Sequence, residues 1–120
     1  MIALIVDDDE DILELLSMYV RGQGFDVLTA TESTAAMTHF VAKTPDLVLL
    51  DVMLPGKDGL QILKEMKQLN NEPKYVMVTA YKGADKVVQA YRNGAVDCLL
   101  KPIDWDYLGI LVNKVKNHQK

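Results

Sequence analysis

Short, nearly continuous apolar runs alternate along this chain with longer windows in which apolar positions recur every three or four residues. The runs at residues 2–6, 25–30, 47–50, 75–78 and 96–100 are four to six residues long and read as strands 1 to 5. The windows between and after them, about 10–22, 32–43, 58–69, 83–93 and 104–117, read as helices 1 to 5. Gly22, Gly24 and Gly94 stand where helices should stop, Pro45-Asp46 and Pro73 punctuate the approach to strands 3 and 4, and Asp104 suits the N-cap of helix 5. Strict alternation of five strands with five helices predicts an α/β domain whose parallel sheet is covered on both faces. Strands 1 and 3 are almost wholly apolar, as strands buried on both faces are. The doubly wound order 2-1-3-4-5 suits five strands and makes strands 1 and 3 neighbours. It places a ligand crevice at their carboxyl ends, where the strand order reverses.

Composition narrows the class. A chain of 120 residues forms one domain, 1–120, large enough to bury a core without disulfide or metal. Its 49% hydrophobic and 25% charged residues exclude a disordered tail or a low-complexity linker. No apolar run approaches the roughly 18 residues of a membrane span. The opening Met1-Ile-Ala-Leu-Ile-Val-Asp7 lacks the basic start of a signal peptide. A net charge of −4 without a dense basic cluster argues against direct nucleic-acid binding. One cysteine cannot form an internal disulfide, and a reducing, cytoplasmic setting is expected.

The candidate chemistry lies at the strand ends. Strand 1 runs into Asp7-Asp8-Asp9-Glu10-Asp11, strand 3 into Asp51, strand 4 into Thr79-Ala80 and strand 5 into Lys101-Pro102. In the predicted topology all four endings share one rim. Adjacent strands lie about 4.8 Å apart, so Asp8 and Asp51 crowd one small volume. Like charges this close raise each other's proton affinity unless a cation relieves them. An all-oxygen donor set suits Mg²⁺. A lysine is a point-charge partner for phosphate, and a threonine hydroxyl can donate to a phosphoryl oxygen. Together these groups fit phosphoryl transfer to a carboxylate, in which catalysis is mostly positioning and charge neutralisation. Taken singly they are weaker. Asp9, Asp11 and Asp58 are the types that cap helices and form turns.

With these residues in place, the whole chain resembles the receiver domain of two-component response regulators, and most of all the single-domain receivers of chemotaxis and sporulation relays. The motifs are Ile5-Val6-Asp7-Asp8, Asp51-Val-Met-Leu-Pro-Gly-Lys-Asp-Gly59, Val78-Thr-Ala-Tyr81 and Gly94-Ala-Val-Asp-Cys-Leu-Leu-Lys-Pro102. The spacing agrees, with 43 residues from Asp8 to Asp51, 28 on to Thr79 and 22 more to Lys101. The resemblance implies that Asp51 is the phosphoacceptor. It implies that Asp8, Asp51 and the Met53 backbone carbonyl ligate Mg²⁺, with Asp7 assisting. It implies that Lys101 pairs with the phosphoryl group, that Thr79 bonds it after transfer, and that Ala80 stays small to leave access. A cis Lys101-Pro102 bond and a turn shaped by Pro55-Gly56 are also implied. The implied partner is a sensor histidine kinase or a histidine phosphotransfer protein, and the domain catalyses its own phosphorylation and dephosphorylation. A phosphorylation-dependent homodimer through helix 4, strand 5 and helix 5 stays open.

One position departs from the family. Receivers usually carry an aromatic residue three positions before the lysine, and here Cys98 stands there. That makes the switch less dependent on an aromatic rotamer, and Cys98 reads as a buried structural cysteine rather than a redox sensor. His39 and His118 lack partners at metal-ligand spacing. Trp105 is open to two readings, partner-facing or packed. In helix 1, seven of the nine residues 12–20 are apolar, an arc of about 220°, wider than the roughly 100° needed to face a core. Ile12 and Leu15 are therefore expected to face the partner, with Leu16 and Val20 inward. Three other functions fit the residues less well. An FMN binder on the same strand order needs a phosphate loop after strand 1, where this chain places acids that repel phosphate. An aspartate-nucleophile phosphatase needs a second acid two residues after the nucleophile, where Met53 stands. A pseudo-receiver would not need Asp8, Asp51, Thr79 and Lys101 together.

Overall fold

The computed structural model of the chain describes residues 1–55, 57–80 and 84–118. Its elements run β1 (Ile2–Val6), α1 (Glu10–Gly22), β2 (Asp26–Ala30), α2 (Ser33–Lys43), β3 (Leu47–Leu50), α3 (Gly59–Leu69), β4 (Lys74–Thr79), α4 (Ala84–Arg92), β5 (Asp97–Leu100) and α5 (Trp105–His118). The sheet is parallel in the order β2-β1-β3-β4-β5, the expected flavodoxin-like topology.

The alternation of strand side chains builds two cores. Leu4, Val6, Val48, Leu50 and Met77 point to one face, where α2 and α3 cover them with Phe40, Leu60, Leu63 and Met66. Ala3, Ile5, Leu47, Leu49 and Val76 point to the other, under Leu16 and Val20 of α1 and Leu108 and Val112 of α5. Every residue of β3 is buried, which explains its unbroken apolar run. Truncating such a leucine costs about 2–5 kcal/mol.

Helix starts follow their caps. Asp9 Oδ1 accepts from the N–H groups of Asp11 at 3.0 Å and Ile12 at 3.3 Å. Asp58 accepts from Leu60 N–H at 2.8 Å, and Asp104 from Tyr107 N–H at 3.1 Å. The capping readings of Asp9, Asp58 and Asp104 hold, and the capping residues explain why the sequence windows opened one residue early at α3 and α5. Gly24 and Gly94 take φ of +98° and +105° in the turns after α1 and α4.

On α1, Leu16 and Val20 are buried as expected. Ser17 is buried too, its hydroxyl donating to Leu13 O at 2.7 Å. The expected partner-facing pair is corrected at Ile12, which is half-buried and packs on the core beneath α1 and α5. Tyr19 and Trp105 account for this. Their rings lie 5.4 Å apart, and Tyr19 OH donates to Trp105 O at 3.2 Å, drawing that edge of α1 against the start of α5. Trp105 is thus packed rather than free. The exposed apolar pair is Leu15, 50% accessible, with Met18, 61% accessible. Among the described residues no helix is long and apolar enough to cross a membrane.

Candidate functional site

Each site residue is delivered by a strand end. Backbone bonds from Asp7 N–H to Ala30 O (3.1 Å) and from Asp51 N–H to Val6 O (3.0 Å) carry the sheet ladder one residue past β1 and β3. Lys101 N–H donates to Thr79 O at 2.9 Å, and the Lys101-Pro102 bond is cis as expected. Asp7, Asp51 and Thr79 are buried, while Asp8 is exposed at the mouth.

One carboxylate oxygen from each of Asp7, Asp8 and Asp51 lies within 4.8 Å of the other two, a grouping that could hold a metal ion. The Lys101 ammonium reaches Asp7 Oδ2 at 2.8 Å and Asp51 Oδ2 at 3.1 Å. Asp9 N–H donates to Asp7 Oδ1 at 2.9 Å, and Met53 N–H donates to Asp51 Oδ1 at 3.0 Å. Three carboxylates against one ammonium leave two negative charges in excess when all are ionised. Burial pushes the Asp7 carboxyl up from its ordinary value; the Lys101 hydrogen bond opposes this, and the Asp51 charge adds to it. Burial works against the charged form of Lys101, but hydrogen bonds to Asp7 and Asp51 outweigh it and hold the ammonium above its usual range. An all-oxygen cluster with surplus negative charge and one exposed member fits a hard divalent cation that keeps part of its water shell.

Thr79 and Lys101 flank the same rim, and Ala80 is exposed beside them. Met53 is 60% accessible to solvent. Gly56 and Tyr81 lie outside the described residues. Two features escaped sequence reasoning. Gly59 donates its N–H to Val52 O at 2.8 Å, and a Cβ there would stand 2.0 Å from Asp51 O, so only glycine lets α3 approach the phosphoacceptor candidate this closely. Lys86, on α4, pairs with Asp58 Oδ2 at 3.3 Å and lines an open cavity of about 620 Å³ with Asp8, Met53 and Pro55. Gly59 could have been suspected from the Asp-Gly pair that starts a helix; nothing local marks Lys86.

Comparison with known proteins matches the response regulator receiver domain over residues 3–113. The chain belongs to this family. The receiver is 38% identical over 117 residues to the DNA-binding transcriptional regulator NtrC of Klebsiella pneumoniae, covering 98% of this chain and 25% of that protein. It is 36% identical to the regulatory protein AtoC of Escherichia coli K12, covering 92% of this chain and 24% of that protein. It spans about a quarter of the length of these relatives. Among solved structures, the receiver domain of NtrX from Brucella abortus superposes with a TM-score of 0.88 at 32% identity, over 94% of this chain and 96% of that one. A two-component response regulator from Clostridium difficile shares the fold with a TM-score of 0.94 at 22% identity, over 100% and 98% of the two chains. The family sets aside the FMN-binding and phosphatase readings.

At the position where receivers carry an aromatic ring, Cys98 is half-buried against the core formed with α2 and α3. Burial and then the Asp97 charge push its thiol up, away from a reactive thiolate. Asp97, which broke the apolar run of strand 5, proves to be a hub. Its Oδ1 accepts from Cys98 N–H at 2.8 Å and from Tyr91 OH of α4 at 3.2 Å, and its Oδ2 accepts from Tyr107 OH of α5.

Proposed function

We propose that Asp51 accepts a phosphoryl group from the phosphohistidine of a sensor histidine kinase or a histidine phosphotransfer protein, with residues 1–120 acting as one cytoplasmic receiver. The observation that carries this is a buried carboxylate held open by one ammonium inside a surplus of negative charge. An Asp51 carboxylate oxygen attacks phosphorus while the phosphorus–nitrogen bond of the donor breaks. The imidazole leaves with that electron pair and takes up a proton. Asp7, Asp8, Asp51 and the Met53 carbonyl would hold Mg²⁺, which supplies neutralisation of the phosphoryl oxygens. The Lys101 ammonium partners one phosphoryl oxygen, and the Thr79 hydroxyl donates to another. The small, exposed Ala80 leaves the approach clear. The test is intact-mass analysis after incubation with a small acyl phosphate and Mg²⁺, followed by peptide mapping. One phosphoryl group on Asp51 is expected; none, or one elsewhere, overturns the reading and restores the pseudo-receiver.

The acyl phosphate should be long-lived. Met53 stands at the mouth and offers water no polar side-chain group to align it. Met53→Asn supplies such a group. One net hydrogen bond in the hydrolytic transition state is worth about 1 kcal/mol, so phosphate loss should quicken by roughly five- to tenfold. The decay of phosphorylated mass with time measures it, and an unchanged rate removes the argument.

The donor protein docks on α1, whose first turn opens beside the rim, with Leu15 as an exposed anchor. Leu15→Ala should slow transfer from the cognate phosphohistidine protein by about fivefold or more, the loss of an anchor worth at least about 1 kcal/mol. Stability and phosphorylation by the small donor should barely change, unlike the core truncation Leu16→Ala. Equal slowing with both donors would place Leu15 outside the docking surface. The homodimer reading draws support from Val88, Leu100, Tyr107 and Ile110, which expose apolar surface along α4, β5 and α5.

A further inference from the structure

Among the described side chains, those of α4 give the least apolar anchorage of the five helices. Among its described side chains only Ala90 is buried, with Val87 half-buried, whereas α3 buries Leu60, Ile62, Leu63 and Met66 and α5 buries Leu108, Leu111, Val112 and Val115. Polar ties hold it at each end instead. Lys86 in its first turns pairs with Asp58, the N-cap of α3, at 3.3 Å. Tyr91 in its last turn donates to Asp97 of β5 at 3.2 Å. An ion pair as open to solvent as Lys86 and Asp58, with 32% and 45% of the side chains accessible, contributes little and can be given up at little cost.

The place of Lys86 gives it a second partner. It lines the same cavity as Asp8 and Met53, on the phosphoacceptor side of α3. Lys101 is already engaged by two carboxylates. A phosphoryl group on Asp51 replaces the single carboxylate charge with up to two, a net gain of about one negative charge at this mouth, and a dianion attracts an ammonium more strongly than one exposed carboxylate does. Cys98 is half-buried against the core and offers no ring, whereas Lys86 links the mouth of the site directly to α4.

We propose that Lys86 is the positioning residue through which the phosphorylated site acts on α4. On phosphorylation its ammonium leaves Asp58 for the phosphoryl group, drawing the first turns of α4 toward the rim and loading the Tyr91–Asp97 tie at the far end. No covalent step is involved. This rests on phosphorylation at Asp51 and adds the route by which that event leaves the site.

The test compares amide chemical-shift changes on phosphorylation in the whole chain, wild type against Lys86→Gln, Lys86→Arg and Asp58→Asn. Donor concentration is adjusted to equal phosphoryl occupancy, read by intact mass. In Lys86→Gln the changes along α4, at Val88, Gln89 and Tyr91, should fall below half of the wild-type values, and Lys86→Arg should restore them. Asp58→Asn removes the competing carboxylate, so the unphosphorylated spectrum of α4 should move part of the way toward the phosphorylated one. Full α4 changes in Lys86→Gln at matched occupancy overturn the proposal, as does an Asp58→Asn spectrum identical to the wild type along α4. If the wild type gains no phosphoryl mass, the phosphoacceptor reading has failed first and this proposal falls with it, a result distinct from normal occupancy with an unaltered α4 response.

Discussion

Asp51→Asn is expected to carry no phosphoryl group after treatment with a small acyl phosphate and Mg²⁺, under conditions that saturate the wild type. The amide has the same shape, and its oxygen can still accept the Met53 N–H bond now made by Oδ1 at 3.0 Å. What it lacks is a carboxylate oxygen able to form an acyl phosphate. The fold should survive, because Lys101 keeps Asp7 at 2.8 Å and no buried charge is left alone. Removing one of three crowded carboxylates also lessens the repulsion at the rim. The melting temperature should therefore hold or rise. Intact-mass spectrometry and a thermal melt decide both points, and full phosphorylation of the variant would sink the assignment.

Mg²⁺ should raise the melting temperature of the unphosphorylated domain, and Asp8→Ala should abolish most of that rise. Asp7 and Asp51 already share the Lys101 ammonium, whereas Asp8 is exposed with no ion pair among the described residues. Asp8 is thus the carboxylate whose charge a cation relieves most directly. Ligand linkage gives about 2.7 kcal/mol of stabilisation when the metal is at a hundred times its Kd, which corresponds to a shift of roughly 10 °C in a domain of this size. Without Mg²⁺, Asp8→Ala should be no less stable than the wild type, since it relieves repulsion and breaks no side-chain bond among the described residues. An identical Mg²⁺ response in the two proteins would mean that the metal sits elsewhere.

The topology was readable because each strand announced itself by an apolar run and each helix by its period. The acids, threonine and lysine that close those runs then had only one rim on which to meet. What stayed hidden depended on contacts distant in sequence. Around α1 the apolar arc runs unbroken from Met18 through Tyr19 and Ile12 to Leu13, and it gives no sign which edge α5 will cover. Trp105, 86 residues beyond Tyr19, meets that edge of α1, and Ile12 is half-buried against the same core. Ser17 interrupts the apolar pattern, yet its hydroxyl is satisfied within its own helix, so burying it is cheap. Nothing in the local sequence marks Lys86, because its partner Asp58 lies 28 residues earlier. Asp97 looked like a flaw in a strand until Tyr91 and Tyr107 arrived from two helices to bond it.

Trp105 is the sole tryptophan of the chain. Half-buried and tilted against Tyr19, it joins α5 to the helix proposed to meet the phosphodonor. Its emission is thus a built-in optical reporter, read without a dye or a tag. A helix laid along Leu15 would change the polarity and rigidity around the indole, so titrating an unlabelled, tryptophan-free partner would yield a dissociation constant directly from colour and intensity. Excitation that favours tyrosine would add a second channel through energy transfer across the 5.4 Å ring pair, one that fades if α1 and α5 part.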